Sequence, residues 1–153
     1  VPRESDEKVY FVIADGLGGG MGASARGDGL DAVDTHSGNC ALISAEIIET
    51  VSPLRVLRTS LNPVSGGKGK YRGGLGMYRD YQLLTGNAMF TCVLQRSRDD
   101  TRAWGFEGGG SGGKAAVVLN PGTAGETRFS SKVIAHRIEK GDVFRLVGGG
   151  GGG

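Results

Sequence analysis

Apolar residues come in short runs separated by polar or glycine-rich gaps, the pattern of short strands rather than of long amphipathic helices. Residues 9–14 (VYFVIA) are β-branched and aromatic and predict a strand, ending at Asp15 and a first glycine cluster over 16–22. Residues 23–40 are polar and loop-like. Ser44 is placed to cap a brief helix over 45–49, which Pro53 keeps from extending. Residues 54–61 (LRVLRTSL) partly alternate apolar with polar, as a half-buried strand does. Residues 77–84 and 88–96 read as two strands of a hairpin turning at Thr85-Gly86-Asn87. Residues 115–119 form another short strand, stopped by Asn120-Pro121-Gly122, and 133–138 and 143–147 are expected to pair across 139–142. The chain runs out in glycines over 148–153.

Composition narrows this picture. The chain has 153 residues, enough for the single domain expected over 1–153, and 30 of them are glycine, against about 7% in ordinary proteins. Hydrophobic residues are only 38%. The expectation is a small, β-rich core with surface left for a partner. The glycine clusters read either as flexible tethers or as polyproline-II-type segments packed side by side, since only glycine lets backbones touch. Buried-type residues flank the internal clusters and favour packing there; the terminal run reads equally well as ordered or disordered. The net charge of +2 is too balanced for a nucleic-acid binder, although residues 55–79 are locally basic. Cys40 and Cys92 form no CxxC pair, which argues against a disulfide framework or a structural zinc site. No apolar run approaches the roughly 20 residues of a membrane span and no signal-peptide pattern opens the chain, so the cytoplasm is expected.

Two glycine motifs fail their context. Residues 108–114 (GGGSGGK) fit the start of a phosphate-binding loop, but Ala115 stands where the hydroxyl residue belongs and a strand follows. Gly20, Gly22 and Ala25 spell GxGxxA, yet glycines break the helix that must follow. No cofactor site is therefore assigned to this chain. Asp28, Asp31, Asp34 and His36 offer more. Asp31, Asp34 and His36 are the candidate metal ligands, although their spacing matches no calcium loop. His36, with Asp28 and Asn39 near it, is the candidate proton-transfer group. The competing reading makes His36 and Asn39 hydrogen bonders that fix a loop. His136 reads as an ordinary strand residue and Cys92 as small core filler.

Residues 65–81, SGGKGKYRGGLGMYRDY, mix glycines with bulky side chains and so read as ordered structure. Nothing fills the space at Gly73 and Gly74, so another backbone is expected against them, with the donors of Arg72 tying carbonyls that the glycine segments leave unpaired. The stretch closely resembles a signature of the hydantoinase B / acetone carboxylase α / 5-oxoprolinase family, SGG-x-G-(K/R)-YRGGLG-x-x-R-(E/D)-Y, whose structural positions fall here on Arg72, Gly73, Gly74, Gly76 and Arg79. Residues 25–42 (ARGDGLDAVDTHSGNCAL) resemble the family's GRDG-x-DG-V-H-x-H-M-x-N-T. Asp28, Gly29, Asp31, Val33, His36 and Asn39 match, whereas Asp34 stands at the family's first histidine, Ser37 at the methionine and Cys40 at the threonine. Pro53 to Val56, residues 104–110 (WGFEGGG), Asn120-Pro121-Gly122 and Gly141-Asp142-Val143 follow in family order.

The resemblance implies an all-β fold, two sheets in a barrel-like arrangement running into a glycine-rich bundle of polyproline-II-type segments. It implies the C-terminal part of a B-type subunit, most like the split-off small β subunit of the acetophenone carboxylase branch. That branch uses ATP and bicarbonate to carboxylate an aromatic methyl ketone. ATP and a divalent metal then belong to other subunits, and the partners are a truncated hydantoinase B-like and a hydantoinase A-like polypeptide. Two alternatives stand beside this reading. One is a piece of an ATP-dependent hydantoinase or 5-oxoprolinase that opens a cyclic amide. The other is a free-standing module binding an anion or nucleic acid through Lys68, Lys70, Arg72 and Arg79 interleaved with Tyr71 and Tyr78.

Overall fold

A computed structural model of the chain describes residues 11–34, 38, 40–129 and 131–153. One short helix, α1 (Ala45–Val51), starts where the Ser44 hydroxyl accepts from the Ile47 N–H at 3.3 Å and buries Ile48. Among the described residues seven strands follow: β1 (Leu54–Leu61), β2 (Met77–Leu83), β3 (Asn87–Val93), β4 (Ala116–Leu119), β5 (Thr127–Phe129), β6 (Lys132–Glu139) and β7 (Val143–Val147). Five form one antiparallel sheet in the order β1-β2-β7-β4-β5, and β3 pairs with β6 in a second. The fold is all-β as expected. Among the described residues neither sheet closes on itself, so the barrel-like expectation is corrected to two open sheets.

Period-2 alternation sorts the large sheet into two faces. Tyr81 and Leu83 of β2, Phe144 and Leu146 of β7 and Val117 of β4 lie on the inner face and form the core with Ile48 and Ile138. Tyr81 lies opposite Phe144 and stacks on it at 4.9 Å, and Phe90 of the second sheet meets Phe144 at 4.8 Å. The outer face carries charge: Asp80 takes both ends of the Arg145 guanidinium at 2.8 and 2.7 Å, and Arg58 sits 4.3 Å above the Tyr78 ring.

From residue 54 onward the expected strands exist, but both expected hairpins are wrong. β2 does not pair with β3, nor β6 with β7. Instead β2 pairs with β7, β3 pairs with β6, and the ladder runs on through the bend between them. Leu83 N donates to Asp142 O at 3.0 Å, Gly141 N to Leu83 O at 2.8 Å and Lys140 N to Gly86 O at 3.0 Å. Gly86 and Gly141, at φ +66° and +95°, turn two long strands around a shared corner rather than back on themselves. The expected strand at 9–14 is corrected where it is described: residues 11–14 carry no strand, and Val12 is 91% exposed. A β-branched run becomes a strand only where an edge is free to pair with it.

The glycine segments pack. Residues 148–152, whose order was open, are buried and continue straight from β7. Gly148 N still donates to Met77 O, and beyond it the partners come from three other segments. Gly149 O accepts from Gly20, Gly150 N donates to Gly113 O, Gly151 N donates to Gly74 O, Gly151 O accepts from Gly67, and Gly152 O accepts from Ala23, all at 2.8–3.0 Å. Around this centre Gly74 N donates to Met21 O at 2.7 Å and Gly29 N to Arg72 O at 2.8 Å. No described helix is long and apolar enough to cross a membrane.

A Cβ built on Gly74 would lie 1.9 Å from the Leu30 carbonyl oxygen and 2.8 Å from Met21 N, both backbone atoms that no rotamer change can move. Gly74→Val is expected to cost more than the roughly 1–3 kcal/mol of ordinary overpacking. Gly27→Ala, with nothing within 4 Å of the new carbon, should leave the melting temperature near that of the wild type. Thermal melts of the two variants check this; equal melting temperatures would mean that the segments are not packed.

Candidate functional site

The conspicuous polar residues gather at two places, both on the stretch 65–81. The first is formed by the acidic loop. The Asp28 carboxylate accepts from the Arg72 backbone N–H at 2.7 Å. Asp31 Oδ1 accepts from the Leu75 N–H at 2.7 Å and from Arg72 Nη1 at 3.0 Å, and Arg72 Nη1 also donates to the Gly73 carbonyl at 2.8 Å. Two carboxylates thus clamp a glycine turn through its backbone and its arginine. The Leu75 N–H, followed by the Arg72 guanidinium, holds Asp31 below its ordinary value of 3.8. Arg72 ties one glycine carbonyl, as expected, but spends most of its fork on Asp31. Asp34 stands apart on an exposed stretch and accepts from Cys40 N at 3.0 Å. His36 and Asn39 lie outside the described residues.

The second place is buried. Alternation along β2 puts Arg79 and Tyr81 on the inner face, where Asp15 meets both. Arg79 Nη1 donates to Asp15 Oδ2 at 2.8 Å, the Tyr81 hydroxyl donates to the same oxygen, and Arg79 Nη2 donates to the Ile43 carbonyl. The Arg79 and Asp15 side chains are 2% and 8% exposed. Asp15 Oδ1 and Arg79 Nε are buried without a partner among the described residues. Burial, then the Asp15 carboxylate, pushes the Tyr81 hydroxyl upward, so it stays a protonated donor at neutral pH. Asp15 also stands where two clefts meet. One, of about 600 Å³, is apolar and lies between the sheets against Phe11, Ile13, Phe90 and Ile138. The other, of about 450 Å³, is walled by Gly18 to Gly20, Asp34 and Arg96.

Nothing around Asp15 in the sequence singles it out, because its partners lie 64 and 66 residues away. The one local signal is a lone carboxylate between an apolar run and a glycine cluster.

Among the described residues no three His, Cys, Asp or Glu side chains come together as a metal site, and the Asp28 and Asp31 oxygens named above already accept N–H donors. The GGGSGGK stretch spends its amides inside the bundle. Gly109, Gly110, Gly112 and Gly113 donate to Phe106, Lys68, Ala103 and Ser65 carbonyls, and Lys114 Nζ pairs with Asp99 at 3.1 Å. The described residues therefore do not fit a metal or a nucleotide phosphate. Cys40 and Cys92 are free thiols, and burial raises that of Cys92. His136 lies in β6 with its ring against Phe129 at 4.8 Å.

Removing one member of a buried ion pair leaves the other charged and unpaired, at a cost of about 3–5 kcal/mol. Asp15→Leu and Arg79→Met are each expected to destabilise by that order, and the double variant by clearly less than their sum in urea melts. Asp31 has its own pH signature. Its folded-state value is depressed, so the ionised carboxylate stabilises the fold at neutral pH, and that contribution disappears as pH falls through the folded value below 3.8. The stability gap between wild type and Asp31→Asn should therefore be present at about pH 7 and shrink toward about pH 3. A gap that is constant with pH would disprove the clamp.

The Hydantoinase B/oxoprolinase family profile matches residues 2–153. A protein of Pseudomonas sp. (strain NS671), described as the B-type subunit of a D-/L-hydantoinase, is 31% identical over 145 residues, covering 94% of this chain and 24% of its own length. An ATP-dependent caprolactamase from Pseudomonas jessenii superposes with a TM-score of 0.67 at 25% identity, over 88% of this chain and 24% of the other. An acetone carboxylase shares the fold, with a TM-score of 0.69 at 20% identity over 89% of this chain and 22% of its own. The chain spans about a quarter of the length of these relatives, and it belongs to the hydantoinase B/oxoprolinase family.

Proposed function

We propose that this chain is a small, mainly structural subunit of an ATP-dependent carboxylase complex of the acetophenone carboxylase kind, which joins a ketone and bicarbonate into a β-keto acid. One observation carries the structural role. The charged residues that look most like chemistry, Asp15, Asp28, Asp31, Arg72 and Arg79, are bonded to one another or to backbone within the fold. ATP and a divalent metal are assigned to other subunits, a truncated hydantoinase B-like and a hydantoinase A-like polypeptide. The glycine segments, read as polyproline-II-type, give the subunit its rigidity.

A second reading places the same scaffold in an enzyme that opens a cyclic amide. The 31% identity to the hydantoinase relative and the likeness to the caprolactamase favour it. Both readings share an ATP-dependent complex and differ in the substrate bound elsewhere. The free-standing nucleic-acid module loses ground, because Arg79 is buried against Asp15 and Arg72 is held by Asp31.

Purification of the chain at native abundance is expected to yield a large hetero-oligomer. ATP consumption in that complex should rise with acetophenone plus bicarbonate; a rise with hydantoin or 5-oxoproline instead would select the amide reading. Robust ATPase or hydrolase activity of the isolated chain would overturn the structural role.

A further inference from the structure

The tip of the glycine bundle carries features that the fold does not use. Trp104 is 72% exposed and Phe106 69%, with ring centroids 6.2 Å apart and planes inclined by 58°. The segment that presents them is tied down by backbone hydrogen bonds. Gly109 N donates to Phe106 O at 2.9 Å across Glu107 and Gly108, whose φ values of +48° and +89° are those of a type I′ turn. A glutamate at positive φ is a strained choice, held in place by its surroundings. Phe106 N is anchored to Gly153 O at 3.0 Å, Gly153 N to Gly110 O at 3.0 Å and Gly110 N to Lys68 O, so the aromatic turn and the Lys68 loop form one surface. On that surface Lys68 and Lys70 are exposed, Lys70 lies 5.5 Å above the Tyr71 ring, and neither lysine is ion-paired among the described residues.

We infer that this tip is a protein-docking surface: Trp104 and Phe106 enter an apolar pocket on a larger subunit, and Lys68 and Lys70 meet carboxylates on its rim. Large exposed aromatics on a preorganised turn lose little entropy on binding, and Trp is among the residues most enriched in binding hot spots. Unpaired lysines beside them supply the charge that an acidic rim complements. The relatives are about four times longer than the span this chain matches, so family architecture provides polypeptide to cover the tip. A single-stranded nucleic acid fits less well. Rings inclined by 58° do not both stack on successive parallel bases. The inference rests on the subunit reading above and names the face that reading requires.

Trp104 is the chain's one tryptophan, so 5-fluorotryptophan labels it alone. The native complex is purified through a tag on this chain, dissociated, and rebuilt with labelled chain and the recovered larger subunits. On assembly the fluorine resonance is expected to shift and to lose contact with a soluble paramagnetic quencher. Trp104→Ala and Phe106→Ala should each weaken assembly by about 30-fold or more, with the melting temperature of the isolated chain unchanged. Lys68→Glu with Lys70→Glu should slow association and flatten its dependence on salt. A complex that forms with Trp104 still open to the quencher, or that tolerates both alanine variants, overturns the docking surface and leaves the subunit reading standing. A chain that purifies alone overturns both. Salt-sensitive binding of a single-stranded oligonucleotide lost in Trp104→Ala overturns the protein partner in favour of nucleic acid.

Discussion

The tightest constraint in the molecule is the contact of bare backbone with bare backbone along residues 148–153. A Cβ on Gly151 would fall 1.8 Å from the Met21 carbonyl oxygen, and one on Gly150 equally close to Ser65 O. In most small domains a central position is filled by an apolar side chain. Here it is filled by peptide groups whose hydrogen bonds run outward to surrounding segments. The arrangement is demanding, because glycine loses more conformational freedom on ordering than any other residue. Its stability therefore leans on what flanks it. β7 delivers the run from the centre of a five-stranded sheet, with the bond from Gly148 N to Met77 O extending the ladder by a step.

The ion pairs complete that support, and they change how the charged residues are understood. Asp28 and Asp31 hold the turn at Arg72, Gly73 and Gly74, so that Gly74 can face Leu30 and Met21. Asp15 and Arg79 draw the segment preceding the first glycine cluster onto β2 and, through the Tyr81 hydroxyl, onto the aromatic core. A buried ion pair adds little net stability over an apolar one, but it penalises every alternative register that would strand a charge. In a chain whose glycines offer few side chains to set register, that discrimination is the useful property. The chain belongs to the hydantoinase B/oxoprolinase family over residues 2–153 and spans about a quarter of the length of its relatives.

Much of this was legible in the residues. The helix at Ser44, the spans of β1 and β7 and the packing of the signature glycines follow from alternation, capping and the absence of side chains, all local properties. The expected clamp by Arg72 was half right: its donors reach Gly73 O, while its main partner, Asp31, lies 41 residues away. The hairpins failed for a related reason. Thr85-Gly86-Asn87 and residues 139–142 are good turns, but a glycine at positive φ serves a corner between sheets as well as a reversal within one. Which use prevails depends on which edge lies opposite, and for β2 that edge is β7, some 60 residues on.

Periodicity, caps and the positions where nothing larger than hydrogen can stand are written in the order of the residues, because each depends on a residue and its near neighbours. The partners were settled only when the chain closed on itself. Asp15 became the mate of Arg79 and Tyr81, the strand pairs were exchanged across a shared corner, the last glycines became the centre of a bundle, and Trp104 and Phe106 were left in solvent at its tip. Each of these outcomes turns on how segments distant in the chain meet. Its energy depends on geometry that no local pattern encodes.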